Sequence, residues 1–147
     1  MDAITVKTFE ELTIYELHDL LQLRSEIFVV EQDCVYQDID GKDHKALHII
    51  GYKNKKIVAY TRCFPPGIYF SEAAIGRVVV DASQRKFGYG HEIMKASKEA
   101  IKNRFKTEAI KLSAQTYLIK FYEVHGFTTT GTEYLEDGIP HIAMITT

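Results

Sequence analysis

Leu17, Leu20, Leu21, Arg24 and Phe28 recur at three-and-four spacing behind Thr13 and Glu16, a capping-box pair, which predicts a helix from about Thr13 to Phe28. Ala3 to Lys7 reads as an edge strand before it. An irregular stretch from Glu31 to His44 follows, carrying Glu31, Asp33, Asp38, Asp40 and Asp43 against Lys42 alone. Ala46 to Tyr52 and Ile57 to Phe64 are β-branched and aromatic, and the polar Lys53-Asn54-Lys55-Lys56 between them makes an antiparallel hairpin. Pro65-Pro66-Gly67 stops the second strand. Ala74 to Val80 is apolar over a strand's length, as expected of a strand buried on both faces at the centre of a sheet.

From Gly90 to Phe105, the residues Ile93, Met94, Ala100, Ile101 and Phe105 share one helical face, and Lys95, Lys98, Glu99 and Lys102 share the other. Ala109 to Ala114 is the next strand. Thr116 to His125 reads as a second helix with Tyr117, Phe121 and Val124 on its apolar side, ended by Gly126 as a left-handed cap. Phe127 to Tyr134 and His141 to Thr146 form closing strands around the Asp137-Gly138 turn. Alternating helices and strands make the class α/β, and no repeat or linker interrupts the 147 residues, so a single domain spanning 1–147 is expected.

Composition narrows the function. With 46% hydrophobic residues the chain can bury a core, and a net charge of −2 provides no field for phosphate backbones or anionic membranes. Neither a nucleic acid nor a membrane partner is expected. The first residues lack the apolar segment of a leader, and Cys34 and Cys63 stand apart without CxxC spacing, so reduced thiols in the cytoplasm are the expectation. No metal site is expected. His44 and His48 share i,i+4 spacing without an HExxH glutamate, and Asp38-x-Asp40-Gly41 lacks the remaining acids of a calcium loop.

Chemistry concentrates at Arg85-Lys86-Phe87-Gly88-Tyr89-Gly90. At roughly 7% glycine usage about 0.7 G-x-G triplets arise by chance in such a chain, and demanding an arginine three residues earlier lowers that to the order of 0.02. The segment joins a predicted strand to a predicted helix, where backbone amides converge on an anion and Arg85 adds charge-assisted bonds. A diphosphate fits such a turn. A connection whose glycines only make the bend is the plainer alternative. Neither a third glycine of G-x-G-x-x-G nor the Gly-Lys-Ser/Thr of a P-loop is present.

Arg85-x-x-Gly88-x-Gly90 after an apolar strand resembles the acetyl-CoA pyrophosphate loop of the GNAT superfamily of N-acetyltransferases. Phe28-Val29-Val30-Glu31-Gln32, Asp38-Ile39-Asp40-Gly41-Lys42-Asp43, Ile75-Gly76-Arg77-Val78-Val79-Val80, Phe121-Tyr122-Glu123 ahead of Gly126-Phe127, and Glu136-Asp137-Gly138-Ile139-Pro140-His141 resemble its ElaA-type branch. Lys86 stands where many relatives have glycine, and Val35 where a proline is expected. Neither removes a backbone donor from the loop.

The resemblance implies a mixed, mostly antiparallel sheet, flanked by helices and splayed open at a cofactor cleft. Backbone groups of Val78, Val79 and Val80 would bind the pantetheine arm of acetyl-CoA and polarise its thioester. Arg85, Lys86, Phe87, Gly88, Tyr89, Gly90 and His91 would hold the diphosphate, and Gln115 would reach the pantetheine. Tyr122 is the candidate acid for the departing thiolate. Glu31 and His48 are candidates for taking a proton from the acceptor ammonium, and His141 for lining the acceptor pocket. Each has a plainer structural role as its alternative: aromatic packing for Tyr122, capping or packing for Glu31 and His48, and tying down the turn for His141. The acidic stretch could attract a cationic amine, or be solvated surface.

The expected function is transfer of acetyl from acetyl-CoA to a primary amine, on a small molecule or a peptide, by direct attack in a ternary complex. A covalent route through Cys34 or Cys63 lacks an evident base partner. The rival reading is a noncatalytic acyl-CoA-binding module. The late strands could pair across a homodimer.

Overall fold

The computed structural model describes residues 1–146. Among the described residues seven strands make one sheet: β1 (Ala3–Thr8), β2 (Leu47–Lys53), β3 (Lys56–Phe64), β4 (Ala73–Val80), β5 (Ile110–Gln115), β6 (Thr128–Glu136) and β7 (Ile139–Ile145), in the order β1-β2-β3-β4-β5-β7-β6. Every neighbouring pair is antiparallel except β4 and β5. Asn54 and Lys55 (φ 51° and 65°) make the β2–β3 turn, and Asp137 and Gly138 (φ 51° and 77°) the β6–β7 turn, the left-handed pairs that suit a tight hairpin.

Helices cover both faces. α1 (Ile14–Arg24) starts where expected: the Thr13 hydroxyl accepts from the Glu16 amide (3.1 Å), and the Glu16 carboxylate accepts from the Thr13 amide (2.9 Å). Leu20, Leu23 and Ile27 pack there on Ile50, Ile57, Tyr60 and Val79. On the opposite face α2 (Tyr89–Phe105) sets Ile93, Met94, Ala100 and Ile101 against Ile49, Ala59, Ile75 and Leu112. This alternation of inward residues along β2, Ile49 to one face and Ile50 to the other, follows from the two-residue period of a strand.

Three expectations need correction. The first helix does not run evenly to Phe28; from Ser25 to Glu31 it widens into a π-type turn, with Gln32 N donating to Ile27 O and Cys34 N to Val29 O, both at 3.1 Å. The wider turn carries Phe28, Glu31 and Gln32 onto the wall of a cleft. Residues 116–125 are a 3-10 turn (Thr116–Leu118) followed by a short α3 (Ile119–Val124). The tighter turn shifts the helical phase, so Tyr117 and Val124 are 73% and 74% exposed while Tyr122 is buried. Finally, β4 is not enclosed throughout: Ala73, Ala74 and Ile75 are buried, but Gly76, Arg77 and Val78 are only half-buried.

Glu31 to His44 is not simply a solvated acidic loop. Asp38 and Asp43 are buried among Arg24, Arg62 and Arg77. Arg24 donates from Nε to Asp38 Oδ2 and from Nη1 to Asp43 Oδ1, each 2.8 Å, and Arg62 donates from Nη1 to the same Asp43 oxygen at 2.9 Å. Arg62 also grips both oxygens of Asp40 at 2.8 Å. The three arginines and three aspartates balance in charge, which is what makes their removal from water tolerable.

Acid should therefore unfold the protein. Burial alone would raise the Asp40 carboxyl, but hydrogen bonds and charge from Arg62 outweigh it and hold it down at about 2 against a usual 3.8. Glu16 is held down at about 2 against 4.5, burial again opposing and the Lys7 ammonium (2.8 Å) prevailing. Both groups bind protons more readily unfolded, so their stabilisation is complete above the ordinary carboxylate range and is lost as pH falls toward 2. Circular dichroism on acidification should show the loss between about pH 4 and 2.

Candidate active site

The sheet opens at its centre. β4 pairs with β3 along most of its length, but its register with β5 includes only Ala73 with Ile110 and Ala74 with Lys111. Beyond those two pairs β5 follows β7, up to Gln115 opposite His141, and β4 from Ile75 to Val80 has no strand on that side. A bulge marks the divergence: the β3–β4 register advances from Arg62↔Gly76 to Tyr60↔Val79, three residues on β4 against two on β3. Arg77 sits in the bulge at φ +50°, a left-handed conformation that costs a non-glycine residue about 1–3 kcal/mol. Its Nε lies 2.7 Å from Asp38 Oδ1, its Nη2 donates to Asp38 O at 3.1 Å, and its guanidinium stacks over Tyr36. The buried ion cluster thus reaches the cleft and pins the residue where the two strands part.

The gap is a cavity of about 510 Å³, ample for a small-molecule arm. Val78, Val79 and Val80 line one wall, Leu112, Ser113 and Gln115 the other. At one end, Ala82–Phe87 is a 3-10 turn leading into α2. Gly88 caps that helix at φ +74° with no side chain to cover the first amides, which point outward with the positive end of the helix dipole. Gly90 has a different reason to be glycine: a Cβ there would lie 3.2 Å from the Phe121 ring, which packs on the start of α2.

Of the residues singled out in the sequence, Val78, Val79, Val80, Arg85, Gly88, Gly90, His91, Gln115, Tyr122, Glu31 and His141 all line this cavity. Lys86, Phe87 and Tyr89 do not contribute side chains to it. Phe87 lies between Lys53 and Lys86 and packs on Tyr89. Arg85 reaches across the mouth: Nη2 donates to Glu31 Oε2 at 2.7 Å and Nε to Val80 O at 3.2 Å. His91 shares a 2.9 Å hydrogen bond between its Nδ1 and His125 Nε2. Burial lowers the His125 imidazole to about 4, with His91, Lys98 and Lys95 adding to the effect.

His48 is not at the cleft, which corrects its candidacy as a base. It is fully buried on the α1 face, with Nδ1 on the Tyr60 hydroxyl (2.6 Å) and Nε2 on Asp43 O (2.8 Å). Burial disfavours its charged form, the first of the causes that lower it. Cys63 is equally remote, its thiol pushed up to about 12 by burial. Cys34 does line the cavity, donating to Asp137 O at 3.3 Å from across the mouth.

Tyr122 is nine-tenths buried and lines the cavity, between Phe121 and Phe127, and its hydroxyl has no hydrogen-bond partner among the described residues. Burial pushes its phenol up, so it keeps its proton at neutral pH. His141, on β7, donates from Nδ1 to Ile139 O (2.7 Å), stacks on Tyr134, and has Glu136 Oε2 3.3 Å from Nε2. The sequence reading missed Arg77, Ser113 and Glu136 as cleft residues. A charged residue inside the apolar run Ile75 to Val80, directly after a glycine, was the available sign for the first.

A central parallel pair that parts ahead of a bulge, with a helix start whose first amides no side chain covers at the end of the gap, defines an acyltransferase-type α/β fold. The chain belongs to the GNAT acetyltransferase family: the model of the acetyltransferase (GNAT) domain matches residues 16–147. It is 41% identical to the Escherichia coli protein ElaA over 136 residues, covering 91% of this chain and 89% of ElaA. The crystal structure of ElaA superposes with a TM-score of 0.93 at 38% identity over the whole of both chains. A Pseudomonas aeruginosa structure described as an acyl-CoA N-acyltransferase matches with a TM-score of 0.93 at 38% identity over 99% of each chain. A UPF0039 protein of Schizosaccharomyces pombe is 41% identical over 140 residues, 94% of this chain and 92% of its own. No helix among the described residues is long and apolar enough to cross a membrane.

Proposed function

We propose that the chain is a single N-acetyltransferase domain that moves acetyl from acetyl-CoA to a primary amine by direct attack in a ternary complex. The observation that carries this reading is the unpaired edge of β4 from Ile75 to Val80, facing a cavity whose far end is a helix start with no side-chain cap on its first amides. Acetyl-CoA supplies an activated thioester and an anionic handle. The backbone of Val78 to Val80 takes the place of a missing strand partner for the pantetheine amides, and an N–H on that edge stabilises charge developing on the thioester oxygen. The amides from Arg85 to His91, Gly88 and Gly90 among them, hold the diphosphate with the Arg85 guanidinium. Gln115 reaches the arm from the opposite wall.

Tyr122 donates its proton to the departing sulfur. Its burial keeps it protonated. His141 lines the acceptor end together with Ser113 and Glu136. The unpaired thiols Cys34 and Cys63 suit the reducing cytoplasm.

Release of free thiol from acetyl-CoA across a library of amines tests the proposal. Amine-dependent release supports it, whereas tight CoA binding with no turnover would mark a noncatalytic acyl-CoA-binding module. Arg85→Ala should weaken CoA binding about tenfold in calorimetry, the worth of one charge-assisted contact at an exposed site. Unchanged affinity would place the diphosphate elsewhere.

A further inference from the structure

An amine acceptor arrives mostly as an ammonium ion, since its pKa lies near 10, and must lose a proton before its lone pair can attack. The sequence offered Glu31 and His48 for this task. Glu31 lies 2.7 Å from Arg85, at the end of the cavity given to the diphosphate, and both ring nitrogens of His48 are occupied away from the cleft. His91 stands at the anion end, against Phe121 and His125.

We infer that His141 is the general base of the transfer, with Glu136 as the group that stabilises its protonated form. The inference rests on the acetyltransferase reading and adds the residue that activates the acceptor. A carbonyl oxygen 2.7 Å from Nδ1 can only accept, so Nδ1 carries hydrogen. In the neutral ring that leaves Nε2 bare and basic. Stacking on Tyr134 and 94% burial hold the ring in place. Glu136 Oε2 at 3.3 Å from Nε2 neutralises the imidazolium once a proton arrives.

Around this ring, β6 contributes Tyr134 and Glu136, the turn contributes Asp137, and β5 contributes Ser113 and Gln115. Ser113 Oγ hydrogen-bonds the Tyr134 hydroxyl and lies 3.5 Å from Glu136 Oε1, so the carboxylate is held beside the ring from its other oxygen. The carboxylate side chain is 51% exposed, which leaves it room to move as the acceptor enters.

The proton account closes. The ammonium gives one proton to Nε2 of His141, and the freed lone pair forms the new C–N bond as the C–S bond breaks. The sulfur takes a proton from Tyr122. The second proton left on nitrogen returns to the Tyr122 oxygen through solvent, and His141 releases its own to solvent, so one proton is liberated per acetyl transferred.

His141→Gln should lower kcat about a hundredfold at pH 7, at the lower end of what a positioned base contributes, with CoA affinity unchanged in calorimetry. The deficit should shrink as pH rises toward the acceptor's own pKa of about 10, where free amine forms unaided. Glu136→Gln, on a half-exposed strand position, should fold normally and lose several-fold in kcat. Nitrogen-15 NMR of the ring in wild-type protein should show the proton of the neutral form on Nδ1. Full activity of His141→Gln, a deficit that does not change with pH, or a neutral ring protonated on Nε2 would each overturn the assignment. If wild-type protein turns over no amine at all, the acetyltransferase reading falls with it; if wild type turns over and the variant matches it, only the base is lost.

Discussion

Tyr122→Phe is expected to lower kcat about a hundredfold while leaving CoA affinity within about twofold, the signature of a group that acts only as the C–S bond breaks. The substitution removes one oxygen and keeps the ring between Phe121 and Phe127, so packing survives. Among the described residues the hydroxyl has no hydrogen-bond partner to orphan, which separates a catalytic loss from a structural one. Stopped-flow and steady-state rates on the folded variant read the effect directly. A wild-type rate would remove the phenol from the chemistry and return it to the core.

The second large effect concerns stability. Asp43 accepts from Arg24 and Arg62 through one oxygen, and its backbone carbonyl holds His48. Asp43→Asn keeps the shape and removes the charge, which leaves two buried guanidinium groups facing only Asp38 and Asp40. Breaking a buried pair on one side costs about 3–5 kcal/mol, and urea denaturation of the variant should show a loss of that order. Asp43 is buried, so little solvent screening reduces the effect. The loss should reach the cleft as well, because the cluster positions Asp38, and Asp38 holds Arg77 in the β4 bulge. A stability change under about 1 kcal/mol, the range of an exposed pair, would mean that the cluster is solvated after all.

Much of the scaffold was legible because its signals are local. The Thr13-Glu16 capping box, the Asn54-Lys55 and Asp137-Gly138 turns and the apolar face of α2 all form where the spacing places them. The glycine loop was legible as well, although two separate demands had merged in one pattern: Gly88 for its left-handed φ, Gly90 for the nearness of Phe121. What escaped depends on distant partners. Arg24 fell on the apolar face of a predicted helix because its spacing matched, and only the folded chain brings Asp38 and Asp43, 14 and 19 residues away, to meet it. The π-type turn after Arg24 and the 3-10 turn before α3 each shift the helical phase, and the second of them is why period counting misassigned Tyr117 and Val124. His48 was a base candidate on the first hairpin strand, whereas the fold encloses it between the Tyr60 hydroxyl and the Asp43 carbonyl.

A crystal structure of the protein with CoA tests the central claim most directly. The pantetheine arm should lie along β4 with its amides bonded to the backbone between Val78 and Val80, and the diphosphate should rest on the turn from Arg85 to His91, with Arg85 released from Glu31. CoA bound outside this cleft, or β5 drawn up against Val78 to Val80 so that no arm fits, would contradict the account.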